Sequence, residues 1–215
     1  MKDELYIGWM PKAPKLLAAH IKKVVLTLIV LILITAGLIA SLQKKFSSGN
    51  FEYGVLTAIP GVYFNKPVPL LKIKTGTDIW GHSSFMSIPL VGYGKHGALG
   101  IIEDIEANKK ITLNNKPVTL KGTLIYNDGK TLLQINKEEQ PLVNFEDKNA
   151  DKEWQPQQRI IGHTLVKGEI IDPKCYFGVM KPGEGKVHRD CAIRCILGGI
   201  SPVMMVRNKN NERNY

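Results

Sequence analysis

Residues 118–135 read VTLKGTLIYNDGKTLLQI. Two runs rich in leucine and β-branched residues, Val118–Tyr126 and Lys130–Ile135, flank Asn127-Asp128-Gly129. Asn, Asp and Gly tolerate positive φ, so this triplet between two such runs predicts a tight β-hairpin. The neighbouring sequence is therefore read first for strands.

Toward the amino terminus the same signature repeats. Ile111–Leu113 is set off from Val118 by Asn114-Asn115-Lys116, Ser84–Val91 is a short apolar run, and Val68–Lys74 alternates. Phe51–Tyr63 is rich in β-formers, with Pro60-Gly61 expected to break it. Only Lys95–Ala107 predicts a helix, from Leu99, Ile102 and Ile105 spaced three apart. Five or so short strands and one helix suit a small, partly open barrel of the OB type over residues 43–136, with a small split sheet as the alternative. Lys95 and His96 between Gly94 and Gly97 lack the order of glycines, lysine and Ser/Thr that makes a phosphate loop, so they read as a turn.

Before the barrel, residues 24–42 read VVLTLIVLILITAGLIASL, with no charge and no proline. At 1.5 Å per residue such a run spans roughly 28 Å, close to the hydrocarbon thickness of a bilayer. A cleaved signal peptide has a shorter apolar region and a shorter leader than residues 1–23, so an uncleaved transmembrane anchor is expected. Lys2, Lys12, Lys15, Lys22 and Lys23 precede the run and only Lys44 and Lys45 closely follow it. That asymmetry places residues 1–23 in the cytoplasm and the rest outside, in the periplasm of a bacterial inner-membrane protein. Within LYIGWMPKAPK, residues 5–15, Tyr6, Trp9, Pro11 and Pro14 mark either a headgroup-level segment or a docking peptide for a neighbouring membrane subunit.

After the hairpin, residues 137–159 are polar and read as a linker or long surface loop. Residues 160–207 then form a second, cysteine-containing OB-like β module, followed by a polar tail, 208–215. Thr119–Ile125 and Thr164–Ile170 echo one another weakly, as two related modules would. After a strand at Thr164–Ile171, Asp172-Pro173 predicts a turn and Cys175 follows it. A glycine-rich loop leads to His188-Arg189-Asp190-Cys191-Ala192-Ile193-Arg194-Cys195. A helix starting near His188 puts His188, Cys191 and Cys195 at i, i+3 and i+7 on one face, with Gly198-Gly199 as its stop. Val203–Val206 is a final strand.

The chain has 215 residues and three cysteines, Cys175, Cys191 and Cys195. Its length allows an ordinary core, so small size does not force a disulfide framework. The net charge of +10 is scattered, with no basic block and no aromatic-arginine cluster. This argues against nucleic acid and for an anionic lipid surface or an acidic partner.

The pattern Asp172-x-x-Cys175, a glycine-rich loop, then Gly185-x-x-His188-x-x-Cys191-Ala192-x-x-Cys195-x-x-Gly198-Gly199-x-x-Pro202 resembles an uncharacterised family of exported bacterial proteins. Tyr6-Ile7-Gly8-Trp9 with Pro11 and Pro14, ahead of one membrane helix, is similar to its longer, membrane-anchored members. The resemblance covers most of the chain and implies export and a small OB-like β domain. It implies no particular chemistry.

Three readings of the cysteines stand. A structural disulfide would join Cys175 to Cys191 or Cys195, leaving one thiol over. Alternatively, thiolates with His188 form a metal site suited to copper(I) or zinc. Thiol catalysis assisted by His188 is the third, without a Cys-x-x-Cys motif behind it. The expected function is an accessory subunit of a membrane redox or metal-handling complex, without catalytic activity by itself. The competing classes are a free-standing thiol or metal-dependent enzyme and a disulfide-stapled component of an envelope assembly.

Overall fold

The structure is a computed structural model that describes residues 12–42, 49–155, 160 and 162–215. The chain divides into an amino-terminal unit and a second unit that holds everything from Gly49 on.

The first unit is helix α1, Lys15–Leu42, long and apolar enough to cross a membrane. It begins well before Val24 because Lys15–Lys23 contains neither proline nor glycine to stop it, while the Pro14 carbonyl accepts the Ala18 N–H at 2.8 Å and opens the first turn. No residue of α1 is buried. Of the docking-segment candidates, Tyr6, Trp9 and Pro11 lie outside the described residues.

The second unit is mainly β. Strands β1 (Asn50–Phe51), β2 (Thr57–Phe64), β3 (Leu70–Thr77) and β4 (Ser83–Gly92) precede helix α2 (Leu99–Lys109), and β5 (Lys116–Asn127) and β6 (Lys130–Ile135) follow it. β2 pairs antiparallel with β3 and β5, β3 with β4, and β5 with β6, and a parallel β4–β6 pairing closes a five-stranded barrel. The OB-type expectation holds. Asp128 and Gly129 both sit at positive φ, +50° and +72°, and make the β5–β6 hairpin turn. Inside the barrel, Leu71, Ile88, Leu120, Leu133 and Ile135 are fully buried and pack with Ile102 of α2. Ile102 and Ile105 face the core as their spacing predicts, with Ile101 beside them, whereas Leu99, the first of the series, is exposed.

Two sequence expectations are corrected. Pro60-Gly61 does not break β2. β3 pairs only with residues 62–64, so Pro60, which has no N–H to offer, faces an open edge on that side while pairing with Thr119 on the other. Gly61 lets two backbones pass, since a Cβ there would stand 2.6 Å from the Lys72 carbonyl oxygen. Nor is 137–159 simply a linker: within it, β7 (Leu142–Phe145) pairs with β5, and Trp154 packs edge-on against Phe85 of β4 at 4.8 Å between ring centroids.

The cysteine region is not a second barrel. It is a three-stranded antiparallel sheet of β8 (Gly168–Ile171), β9 (Val203–Arg207) and β10 (Arg213–Asn214), with helix α3 (Arg189–Leu197) between the first two. A shared core cements it to the barrel: Val91, Ile125 and Leu132 pack with Ile171, Tyr176, Phe177, Ile200 and Met205.

Candidate metal centre

Three segments converge on the sulfurs. The first follows β8, where Asp172-Pro173 turns the chain and Asp172 Oδ1 accepts the Lys174 N–H at 2.9 Å. A short π-type turn, Cys175–Val179, then buries Cys175. The second is the glycine-rich loop before α3. Glu169 accepts the Gly185 N–H at 2.5 Å, and Glu184 pairs with Arg207 at 2.8 Å and with Arg213. Gly183 lies against the backbone of Tyr176, where a Cβ would meet Tyr176 Cα at 2.5 Å. These contacts hold the loop to the Cys175 turn and deliver His188 next to it.

The third segment is α3 itself. His188 occupies its amino-terminal cap position and is buried, and its carbonyl accepts the Ala192 N–H at 3.0 Å. Cys191 is half-buried and Cys195 buried on the same face, as the i, i+3, i+7 spacing predicts. The donor atoms of Cys175, His188 and Cys191 all lie within 4.8 Å of one another, and so do those of Asp172, Cys175 and Cys195. Cys175 belongs to both sets.

The three cysteines are free, so the expected disulfide is corrected. Their sulfurs meet in a pocket that they share with a carboxylate and an imidazole, and Asp172 faces both Cys175 and Cys195. Burial first, then the Asp172 carboxylate beside it, pushes the Cys175 thiol far up. Burial and Asp172 likewise push Cys195 up to about 12. Both therefore hold their protons at neutral pH unless a cation takes their place. The Asp172 carboxylate has the protonated thiols of Cys175 and Cys195 as hydrogen-bond donors, while His188 Nε2 is buried without a hydrogen-bond partner.

Two lysines complete the site. Lys95 donates from Nζ to Cys191 Sγ at 3.0 Å, and that contact holds its ammonium above its ordinary pKa. Lys174 is buried and donates to the carbonyls of Gly92 and Gly94, each at 2.7 Å; burial lowers its pKa while Asp172 opposes the shift. Lys174 thereby fixes the loop that presents Lys95. The loop also docks by backbone alone: Gly97 N–H donates to the Gly198 carbonyl at 2.9 Å. A Cβ on Gly97 would stand 2.1 Å from the Gly199 oxygen, and one on Gly198 would stand 1.9 Å from the Lys95 oxygen. Gly94–Gly97 and Gly198-Gly199 are thus two faces of one contact.

Sequence reasoning assigned no role to Asp172, Lys95 or Lys174 at the centre. The available signals were the Asp172-x-x-Cys175 spacing and the paired glycines on both sides of the contact.

Chemically, thiolates with an imidazole suit zinc or copper(I), and a carboxylate adds an oxygen ligand that zinc also accepts. Zn–S bonds of about 2.3 Å in a tetrahedral site set sulfurs roughly 3.7 Å apart, so donors no more than 4.8 Å apart need to close by at most about half an ångström each. The cluster can hold a metal ion. His188 also lines a cavity of about 450 Å³ together with Ile171, Ala192 and Ile196. No family model matches this chain, and no curated protein or solved structure does either.

Proposed function

We propose that this protein is a single-pass protein of a bacterial inner membrane whose periplasmic β unit carries a thiolate–imidazole metal centre, and that it serves a membrane redox or metal-handling complex as an accessory subunit. The observation behind this reading is the convergence of Cys175, from the turn after β8, with His188 and Cys191 of α3, their donor atoms within 4.8 Å of one another. The excess of lysines before the apolar run that starts at Val24 supports the orientation. In this reading zinc or copper(I) is the resident ion, and the segment Tyr6–Pro14 docks a neighbouring membrane subunit.

The test is metal analysis of the full chain, solubilised in mild detergent under reducing, anaerobic conditions. One equivalent of zinc or copper is expected to survive passage over a weak chelator and to disappear in Cys175→Ala. Protein that is folded yet takes up neither ion would sink the metal reading. Co-purification of metal- or haem-bearing membrane subunits, lost on replacing Tyr6 and Trp9 by alanine, checks the role as a subunit.

A further inference from the structure

The β5–β6 hairpin has two faces. Leu133 packs inside the barrel, so Leu132 and Gln134 point to the outer face, which Ile125 and Thr123 of β5 share. Ile125 and Leu132 are covered by the cysteine region. Thr123 and Gln134, register partners across the two strands, come next along that face. They are only 5% and 7% exposed, yet neither side chain makes a hydrogen bond to another described residue. Buried polar side chains ordinarily find partners. Both of these line a cavity of about 370 Å³.

Two tyrosines contribute to the lining of that cavity. The Glu52 carbonyl accepts the Val55 N–H at 3.0 Å, and Gly54, at φ +82°, takes the left-handed position of the turn beside Tyr53. The Tyr53 ring stands edge-on to Phe51, 5.6 Å between centroids. Tyr93 sits between Gly92 and Gly94, whose carbonyls the buried Lys174 ammonium holds at 2.7 Å.

Two acids complete the lining. Asn136 opens the short helical turn Lys137–Glu139, its Oδ1 accepting the Glu138 N–H at 3.4 Å and its carbonyl the Glu139 N–H at 3.2 Å. Glu138 and Glu139 both line the cavity, and neither pairs with a basic residue among the described residues. Lys137, beside them in sequence, pairs with Asp104 instead. No basic side chain lines this cavity, although the chain carries a net charge of +10.

These groups select by chemistry. The carboxylates, the Gln134 amide oxygen and the Thr123 hydroxyl all accept hydrogen bonds, and tyrosine faces attract cations. An anion would meet two carboxylates. A wholly apolar ligand would leave the buried amide and hydroxyl without partners. A positive group with several N–H donors satisfies all of them at once.

We infer that this cavity binds an organic cation, an ammonium or guanidinium on a short apolar stem. Glu138 and Glu139 pair with its charge, Gln134 and Thr123 accept its N–H groups, and Tyr53 and Tyr93 pack against it. None of these residues belongs to the metal centre, so the site stands whether or not a metal is bound.

The test is saturation-transfer NMR on the full chain in mild detergent at physiological salt. The probes are agmatine, spermidine and a capped Gly-Arg-Gly peptide, with the citrulline peptide as neutral counterpart. Saturable transfer to the cations, and none to the citrulline peptide, is expected. Glu138→Gln with Glu139→Gln removes charge at nearly constant shape and should weaken binding about tenfold or more, the usual worth of a charge-assisted hydrogen bond. Gln134→Leu, in protein whose circular dichroism matches the wild type, should also weaken it. Binding of agmatine or spermidine at least as tight as that of the peptide upholds the site and assigns it to a free amine. A preference for the peptide upholds it as a receptor for a basic side chain of a partner protein. Folded protein that gives no transfer to any cation would overturn the inference. Equal binding of the citrulline peptide would do the same, since charge is then not read, and so would unchanged affinity in the double glutamine variant.

Discussion

Lys95 Nζ and Cys191 Sγ stand 3.0 Å apart although 96 positions of sequence separate them. The contact joins a barrel loop to α3, and it sets a cation against the most accessible sulfur of the cluster. A donor on a ligating thiolate disperses its charge and orients it, which is the work of groups just outside a metal's own ligands.

Replacing Lys95 by methionine keeps the stem and removes the ammonium. Affinity of the centre for zinc or copper(I) should fall about 10–100-fold, the usual cost of losing such a partner. Thermal stability should barely change, because Lys95 sits at the surface. Chelator competition reads the first quantity and calorimetry the second. An unchanged affinity would show that Lys95 merely rests on the sulfur.

Gly198→Ala tests the backbone contact beneath that ion. The φ of Gly198 is −75°, which alanine adopts freely, so any cost is steric. The new Cβ would stand 1.9 Å from the Lys95 carbonyl oxygen, and backbone cannot swing aside as a side-chain tip can. A loss of about 1–3 kcal/mol is expected from overpacking. The loop should separate from α3, so metal affinity falls along with stability. Denaturant melts together with metal titration would reveal whether the two effects travel together.

How much of this was legible in the sequence differs between parts. The barrel strands were, because alternation and the Asn127-Asp128-Gly129 turn are local signals. The His188, Cys191 and Cys195 face was also legible, because helical spacing is local. Pro60-Gly61 misled because a proline breaks a strand only where its N–H is needed, and that depends on how far β3 extends beside it. β7 was hidden in polar surroundings, since two of its four residues stay exposed on an edge. Lys95, Asp172 and Lys174 escaped notice because charged residues are ordinarily solvated. Only the fold shows that two of these are buried and that the third is aimed at a thiol.

Tyr63 offers a test of the barrel interior. Its side chain is 1% exposed and its hydroxyl is buried without a partner. Burial first, then Glu106 and Glu103, raises its pKa well above the ordinary 10. The neutral phenol is thus favoured in the folded protein, while the unfolded chain ionises near pH 10. Its contribution is fully present below pH 10 and is lost as pH rises toward the folded value. Each pH unit within that window costs about 1.4 kcal/mol. Tyr63→Phe should leave neutral stability unchanged or raise it by up to about 1 kcal/mol, since it deletes an unsatisfied hydroxyl. It should also shallow the alkaline decline by one proton's share. Urea melts at pH 8 and pH 11 compare the two proteins. An equal decline in both would place the responsible group elsewhere, with Tyr176 and Tyr215 next, because burial raises both of them as well.

The three cysteines should separate in their effect on metal binding, because Cys175 alone belongs to both donor sets. Cys191→Ala leaves Asp172, Cys175 and Cys195 together, and Cys195→Ala leaves Cys175, His188 and Cys191 together. Either single change should weaken binding while retaining one equivalent at saturating metal. Cys175→Ala dismantles both sets and should abolish binding outright. The character of what remains should differ as well. The set left by Cys191→Ala includes a carboxylate, which suits zinc better than copper(I), whereas the set left by Cys195→Ala is two sulfurs and an imidazole, which suits either. Cobalt substitution makes this visible, since sulfur-to-cobalt charge-transfer bands scale with the number of bound thiolates. All three proteins should remain folded when reduced, because no disulfide is removed. Their melting temperatures should fall modestly for Cys191, which is partly exposed, and more for Cys175 and Cys195, which leave small cavities in the shared core. Equal and complete loss of metal in all three would mean that one four-ligand site needs every sulfur at once. Full retention in Cys175→Ala would rule out the centre as drawn.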